Sequence, residues 1–280
     1  GASGNLTSYK CNGVELIEEA PKPSFWRAPV DNDYGSRRDF MTAQWKLASL
    51  YRRCVKKELL DDAGNWQEFD WFGQLGQKEY EARSISVRFT YELATQPLSS
   101  CRMTYTVVPD GSIKVELDYD AVEGLPEIPD FAMIFTMPAD YGQVRFYGYG
   151  PLDNYADRQR GAKLGIFETQ AKDEVEPYLL PQETGNHCGV RWIEVTDHRG
   201  RGVRLAMDEE PFEASALPYS AHELENARHA YDLPEVHHTF LRASLGQCGV
   251  GGDNTWGAPV LPEYTVKNTA KHFAFYFKGI

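Results

Sequence analysis

Apolar and polar residues alternate along much of this chain. The stretches 84–92 and 112–119 carry an apolar residue at every second position, and the end of the chain does the same with Phe273, Phe275 and Phe277. Because successive side chains of a strand point to opposite faces, this period of two is typical of strands that bury one face only. Strands of that kind belong to antiparallel sheets.

Turn residues separate the alternating segments at short intervals. Asp110-Gly111, which lies between two of them, is a hairpin signal. The pattern predicts an all-β chain in which two antiparallel sheets pack as two layers, with short helical excursions. Further strands are predicted at 101–108, 131–137, 143–147, 190–197, 202–207, 212–217 and 239–245.

Helix signals are few. Ser36 and Asp39 are expected to cap a helix over 36–51, and the capping-box pattern at 220–223 predicts a second short helix that ends near His229. The first helix carries apolar residues at helical spacing, namely Phe40, Ala43, Leu47 and Leu50.

Composition and charge narrow the class of function. The chain has 280 residues, of which 42% are hydrophobic and 13% aromatic, so it can build a substantial core. Its formal net charge is −12, and no run of lysine and arginine occurs. That balance argues against nucleic acids and anionic membranes as partners, whereas a neutral polar ligand such as a sugar is compatible with it. No apolar run approaches the ~18 residues of a membrane span.

The five cysteines give no sign of a disulfide framework or a zinc site. They are widely scattered and form no Cys-x-x-Cys pair and no Cys/His pair at zinc spacing. We therefore expect reduced thiols without a chemical role. The cysteines are Cys11, Cys54, Cys101, Cys188 and Cys248.

A tryptophan stands in a stretch of turn residues near the end of the chain. The segment 251–259 combines three glycines, Asp253, Asn254, Trp256 and a proline, which predicts a loop. A flat ring beside short polar groups suits a sugar-binding surface, because the ring packs on C–H groups while the rim donates and accepts hydrogen bonds. The alternative is that Trp256 fills one end of the sandwich as core.

Three further clusters combine turn residues with carboxylates, amides and arginine. They span 25–33, 147–158 and 181–191. Loops of a β-sandwich gather at the ends of its sheets and often form binding sites. On the alternative reading, the Asp and Asn side chains satisfy loop backbone groups. Three arginines would then be buried ion-pair partners, namely Arg27, Arg158 and Arg191.

No metal or catalytic motif is complete. Asp31 and Asp33 have the spacing of the first two ligands of a calcium loop, but Thr42 stands where the bidentate glutamate should be, so no metal is expected here. The chain lacks a phosphate-binding glycine loop and a nucleophile elbow. Many acids are present, but the sequence alone nominates no carboxylate pair for glycoside cleavage.

Together the four clusters resemble one known module. RAPVDND at 27–33, YGYGPLDNYADR at 147–158, PQETGNHCGVRW at 181–192 and GVGGDNTWGAPV at 249–260 are similar to motifs of the C-terminal domain of glycoside hydrolase family 2 β-galactosidases, the small-chain or domain 5 module. The resemblance implies a β-supersandwich related to galactose mutarotases. It also implies a single module over 1–280 that is a fragment of a larger enzyme.

Two motifs depart from the family pattern. The second normally reads Glu-Asn-Tyr, and this chain has Asp153-Asn154-Tyr155. The tryptophan loop of the best-known relatives reads Asp-Ser-Trp, and this chain has Asn254-Thr255-Trp256. Both changes are conservative and leave the resemblance intact.

The resemblance implies a role without catalysis. In the family, the two catalytic glutamates and a magnesium site belong to a separate (β/α)₈ barrel, so neither a catalytic residue nor a cofactor is expected on this chain. It would close the active-site entrance, with Trp256 as a platform for the sugar and Asp253 and Asn254 shaping its loop. Nine further residues are candidates for lining the site, namely Arg27, Asp31, Asn32, Asp33, Asp153, Asn154, Glu183, His187 and Arg191.

The implied partners are the catalytic barrel domain and galactoside sugars, in a parent enzyme that can be oligomeric. Two other functions stay open: an aldose mutarotase using Glu183 and His187, with His222 as an alternative acid, or an autonomous carbohydrate-binding module. The compartment is undetermined between cytoplasm and periplasm, because the chain begins at Gly1 and we expect the parent's N-terminus to lie elsewhere.

Overall fold

The computed structural model describes residues 4–61, 63–69, 83–254 and 256–280. Most of the described elements are strands. Their bounds are β1 Lys10–Cys11, β2 Val14–Glu15, β3 Glu19–Ser24, β4 Arg52–Leu60, β5 Trp66–Glu68, β6 Ile85–Leu93, β7 Ser99–Val107, β8 Ile113–Tyr119, β9 Asp130–Pro138, β10 Gln143–Gly150, β11 Lys163–Gln170, β12 His187–Val190, β13 Trp192–Thr196, β14 Gly202–Met207, β15 Phe212–Leu217, β16 His238–Gln247 and β17 Lys271–Gly279.

The described helices are short. The α-helices are α1 Asp31–Ser36, α2 Arg38–Met41, α3 Gln44–Leu50 and α4 Ala221–Asn226. Three single-turn 3₁₀ segments lie at Ala171–Glu174, Ala230–Asp232 and Pro262–Tyr264. None of the helices in the described ranges is long and apolar enough to cross a membrane.

The strands form two large antiparallel sheets. The larger has ten strands in the order β11-β10-β13-β14-β17-β8-β7-β6-β4-β5, and the smaller has five in the order β12-β15-β16-β9-β3. Strands β1 and β2 form a separate hairpin. This arrangement confirms the predicted all-β fold with two layers and short helical excursions.

Aromatic side chains fill the space between the two sheets. Phe135 of β9, in the smaller sheet, contacts Phe277 of β17, in the larger one, with ring centroids 5.3 Å apart. Phe212 of β15 contacts Phe273 and Phe275 across the same space. All five rings are buried, because each lies on the apolar side of an alternating strand. The period of two read from the sequence is therefore the pattern of the core.

All the strands predicted from alternation are present, with bounds shifted by a few residues. The hairpin at Asp110-Gly111 is also confirmed: Gly111 has a φ of 81°, and the Asp110 carboxylate accepts the backbone N–H of Ser112 at 3.0 Å. Several strands were not predicted from the alternation, among them β3, β4 and β11. β3 contains Pro21 and Pro23, which occur in sheets mainly on edge strands, and β3 is an edge strand.

The helix predicted over 36–51 is wrong in its start and its continuity. Arg37 adopts left-handed backbone with a φ of 59°, which ends α1 and prevents one continuous helix. Ser36 does not cap α2; its hydroxyl donates to the backbone carbonyl of Asn32 at 2.8 Å. The second helix has the predicted capping box of Ser220 and Glu223. It ends at Asn226 rather than near His229, because the next residue is extended.

The apolar residues of α2 and α3 that lie at the predicted helical spacing face outwards. Helical spacing of this kind usually marks a face packed on the core. Here Trp45 and Ala48 fill the core-facing side instead. The residues that the spacing singled out lie on the surface, and Phe40 is 80% exposed. Met41 is exposed as well, and we define the apolar helix face as Phe40, Met41, Leu47 and Leu50.

We predict opposite outcomes for the same substitution at two phenylalanines. Phe135→Ala should lower the free energy of unfolding by about 3–5 kcal/mol, because it opens a cavity between the sheets. Phe40→Ala should change it by less than about 0.5 kcal/mol, because this side chain is in solvent in the isolated chain. Urea unfolding followed by circular dichroism measures both. Equal losses would mean that Phe40 contributes to the core.

Candidate functional site

The tryptophan loop presents its ring to solvent. Trp256 is 89% exposed, so it does not fill the end of the sandwich. The side-chain oxygen of Asn254 accepts the backbone N–H groups of Trp256 at 2.9 Å and Ala258 at 3.3 Å. These two bonds hold the turn below the ring. Asp253 is exposed beside it, and Thr255 lies outside the described residues.

A glycine seats this loop on helix α1. Gly257 has a φ of 126°, and a Cβ atom at this position would lie 2.7 Å from the carbonyl oxygen of Gly35. Only glycine accepts both the backbone angle and the close approach. The loop that carries Trp256 therefore rests on the short helix that leads into the apolar helix face.

Arg27 and Asp33 form a buried ion pair at the start of α1. Their Nη2 and Oδ2 atoms are 2.9 Å apart, and both side chains are almost fully buried. Asp33 also accepts the backbone N–H of Val30 at 2.9 Å, while Arg27 donates to the carbonyl of Gly249 at 3.2 Å. The pair thus joins two of the four sequence clusters, and it matches the structural reading of Arg27.

Asp157 fixes the segment that leads to the tryptophan loop. Its carboxylate accepts the backbone N–H groups of Val250 at 3.1 Å and Gly251 at 2.7 Å. A Cβ at Gly249 would lie 2.5 Å from the same carboxylate, so a larger residue there would displace the Asp157 side chain. Asn32 adds a bond from its amide to the carbonyl of Val250 at 3.3 Å. The loops that carry Arg27 and Asp157 and helix α1 therefore all contact the backbone at 249–251.

Arg242 of β16 is the centre of a second buried cluster. Its guanidinium contacts Asp130 of β9 at 2.9 Å, the Asn186 amide oxygen at 2.6 Å and Glu183 at 3.4 Å. Glu183 also accepts from the Gln247 amide at 3.2 Å. Burial raises the pKa of Glu183, while Arg242 opposes that rise. The candidate Glu183 is therefore tied to the sheet.

Two asparagines connect this cluster to the 147–158 loop. Asn186 donates to the carbonyl of Asn154 at 2.8 Å and to the carboxylate of Glu213 at 2.9 Å. Asn154 in turn accepts the backbone N–H of Cys188 at 2.9 Å. Both asparagines are fully buried, so they act as internal braces in this structure.

The remaining candidates have separate environments. His187 is buried, with Nε2 2.8 Å from the carboxylate of Glu174, and its ring lies against Phe146. Asp153 pairs with Arg158 at 2.9 Å. The guanidinium of Arg191 lies over the ring of Tyr147.

The structure thus brings the four clusters together but exposes few of their side chains. Four of the twelve candidates are exposed and able to meet a ligand without rearrangement: Asp31, Asp253, Asn254 and Trp256. The others are buried or partly buried, and most of them hold loops in place.

Sequence reasoning missed four residues that organise the site. Asp157 and Asn186 lie inside the motifs but were not nominated, since nothing in one sequence separates a brace from its neighbours. Arg242 gave a signal that was not used: it is a charged residue inside a predicted strand. Asp130, its partner, lies next to another predicted strand.

The described ranges contain no group of three or more His, Cys, Asp or Glu side chains that could hold a metal ion. Asp33, half of the suggested calcium pair, is already bound to Arg27. All five cysteines are described, and each is a free thiol.

The fold and the exposed ring define a class: a two-sheet β-domain that displays an aromatic residue on a loop held by hydrogen bonds. The model of the β-galactosidase small-chain family matches residues 1–278. The chain belongs to that family.

Two curated relatives show how the domain occurs. A β-galactosidase of Halalkalibacterium halodurans is 42% identical over 95% of this chain but only 25% of its own length. The β-galactosidase small subunit of Latilactobacillus sakei is 31% identical over 98% of this chain and 89% of its own length. The chain thus spans about a quarter of the first relative and most of the second.

A solved galactose mutarotase-related enzyme from Lactobacillus acidophilus covers the whole chain, with a TM-score of 0.44 and 8% identity.

We predict that Glu213 makes stability fall with rising pH. Burial raises its pKa from 4.5 to about 7, although Arg242 and the Asn186 amide act in the opposite direction. Its stabilising contribution is complete below about pH 4.5 and is lost as the pH rises through about 7, because only the unfolded state ionises freely in that window.

Glu213→Gln keeps an acceptor for Asn186 and removes the titration. From about pH 5 to about pH 8, the variant should lose less unfolding free energy than the wild type, by on the order of 1–2 kcal/mol. Urea unfolding at each pH measures the difference, with Glu210→Gln as an exposed control. Parallel pH profiles for wild type and Glu213→Gln would contradict the assignment.

Proposed function

We propose that this chain is the non-catalytic module of a β-galactosidase and that it works beside a separate catalytic part. Its family and the length of its relatives support this. The chain matches one quarter of one β-galactosidase and most of the small subunit of another. It therefore corresponds to a unit that is part of a longer chain in the first enzyme and a separate subunit in the second. The partner is then the rest of the enzyme, or a large subunit.

The observation that carries the proposal is the exposed ring of Trp256. Single exposed apolar side chains are common on protein surfaces, but Trp256 also stands on a loop held by two hydrogen bonds and a closely packed glycine. A sugar at the active-site entrance supplies the apolar C–H face that such a ring lacks. Trp256 would bind the substrate, with Asp253 exposed at its edge.

The apolar helix face supplies a surface for the catalytic part. Contiguous exposed apolar side chains mark interaction sites on soluble proteins. Phe40, Met41, Leu47 and Leu50 follow directly after α1, on which the tryptophan loop rests. A partner that covers this face would therefore sit next to Trp256, where the entrance of its active site would be.

The catalysis itself is assigned to the partner. The buried carboxylates at the centre of this chain are held by arginines: Asp33 by Arg27, and Asp130 and Glu183 by Arg242. Carboxylates paired in this way are not placed as an acid and a nucleophile on either side of one bond. The magnesium ion expected for such an enzyme also belongs, on this proposal, to the catalytic part.

We predict that Trp256 tunes substrate affinity in the assembled enzyme. In a chimera in which this chain replaces the matching quarter of the 42%-identical relative, Trp256→Ala should raise KM for lactose by about 2–10-fold, because one stacking contact is lost. Trp256→Phe should restore most of the affinity. Initial rates over a range of lactose concentrations give KM and kcat.

Tyr231→Ala removes another highly exposed ring and serves as the control. An unchanged KM in Trp256→Ala would contradict the platform role. Hydrolysis of a nitrophenyl galactoside by the isolated chain, with no catalytic part present, would contradict the wider proposal.

We predict that a charge on the apolar helix face blocks assembly. Leu47→Asp should abolish co-purification of this chain with a separately produced catalytic part, because a carboxylate would be buried without a partner. Leu164→Asp is a matched control: Leu164 is 44% exposed on edge strand β11, and Leu47 is 47% exposed on α3.

Both variants should fold, since each side chain is about half exposed and lies outside the core, and circular dichroism checks this. Retention of the catalytic part by Leu47→Asp, or its equal loss in both variants, would show that the helix face is not the docking surface.

A further inference from the structure

A large cleft opens on the outer face of the five-stranded sheet. Its volume is about 700 Å³, within the range of small-molecule sites. Helices α3 and α4 flank it, and strands β3, β9, β15 and β16 form its floor. Trp256 is not among its lining residues, so the cleft is separate from the platform described above.

Buried charged side chains lie at the base of the cleft. Asp130, Glu183 and Arg242 line it together with Ser215, whose hydroxyl accepts the Nε–H of Arg242 at 3.1 Å. A buried ionic cluster is often no more stable than an apolar one of the same volume. Such a cluster at the base of an open cleft is therefore typical of a ligand site.

The walls of the cleft are apolar and held in place. Trp26, Leu217 and Phe240 are among the lining residues. Glu225 of α4 accepts the indole N–H of Trp26 at 3.0 Å and pairs with Lys46 of α3 at 2.8 Å. This bridge ties both flanking helices to one wall, so the opening is formed without a ligand.

Most charges of the cleft are paired; Arg52, which also lines it, donates to the carbonyl of Ser49 at 3.3 Å. Lys22 pairs with Glu19 at 3.0 Å on one side. Lys46 pairs with Glu225, and Arg242 pairs with Asp130, so none of these cations is left to attract an anion. Arg27 adds a buried donor: its Nε has no hydrogen-bond partner among the described residues. The base of the cleft is polar with paired charges, its walls are aromatic and aliphatic, and the Arg27 Nε–H can still donate a hydrogen bond. These features suit a neutral ligand with several hydroxyl groups.

We propose that this cleft binds a neutral saccharide, as a second carbohydrate site independent of Trp256. The ring face of the sugar packs against Phe240, and its hydroxyl groups meet the polar floor and the rim. The exposed side chain of His222, at the start of α4, lies at that rim. The ligand is a free monosaccharide or the end of a longer glycan, since both present the same ring.

Titration of the isolated chain followed by NMR tests the proposal. The probes are methyl β-galactoside, methyl α-glucoside and lactose, with glucuronate as a charged control. At least one neutral probe should cause saturable shifts that include the indole N–H of Trp26. Stronger binding of lactose than of both methyl glycosides would identify a glycan end, and equal binding a monosaccharide. Absence of saturable shifts with every neutral probe, or stronger binding of glucuronate, would overturn the proposal.

Variants locate the binding. Phe240→Ala and His222→Ala should each weaken it by about 2–10-fold, since each removes one contact. Trp256→Ala should leave it unchanged. Loss of binding in Trp256→Ala with retention in both cleft variants would assign the sugar to the platform and overturn the cleft site. His222 is exposed, so its variant remains informative even if Phe240→Ala fails to fold.

Discussion

The buried guanidinium of Arg242 is the interaction on which the arrangement of this domain depends. It joins β16 to β9 through Asp130 and reaches out of the sheet to Asn186 and Glu183. A charge removed from water is tolerated only when its partners are all in place. The smaller sheet and the loops above it therefore form together, because neither alone satisfies this arginine.

A chain of hydrogen bonds runs from this buried cluster to the surface. Asn186 holds the 147–158 loop through Asn154. That loop supplies Asp157, which fixes the backbone at Val250 and Gly251, just before the exposed ring. The position of a side chain in solvent is thus determined by buried polar groups. A binding surface arranged in advance loses less conformational entropy when a ligand arrives.

The sequence predicted the layers of this fold better than its edges. Alternation identified the central strands because each packs one face on the core. The edge strands β3 and β11 escaped notice, because one contains two prolines and the other has no fully buried residue and exposes Leu164 and Ile166. The helix over 36–51 was predicted as one element since the left-handed backbone of Arg37, a residue with no special tendency towards it, leaves no trace in composition.

The candidate site was also predicted only in part. The motifs predicted which loops meet, because each carries groups that must find partners. They could not show which side chains face water. Asp31 is exposed and Asp33, two residues along the same short helix, is buried against Arg27. That difference is set by the pairing of Asp33 with Arg27, six residues earlier, and the alternation of polar and apolar residues does not reveal it.

The close approach of Gly257 to Gly35 places the tryptophan loop on helix α1. On the proposed function, a partner that binds the apolar helix face would contact the helices that follow α1 in the chain. If the two binding events were coupled, the coupling would be reciprocal. A ligand on the ring would raise the affinity for the partner by the same factor by which the partner raises the affinity for the ligand. Gly257 permits this contact because it has no Cβ atom.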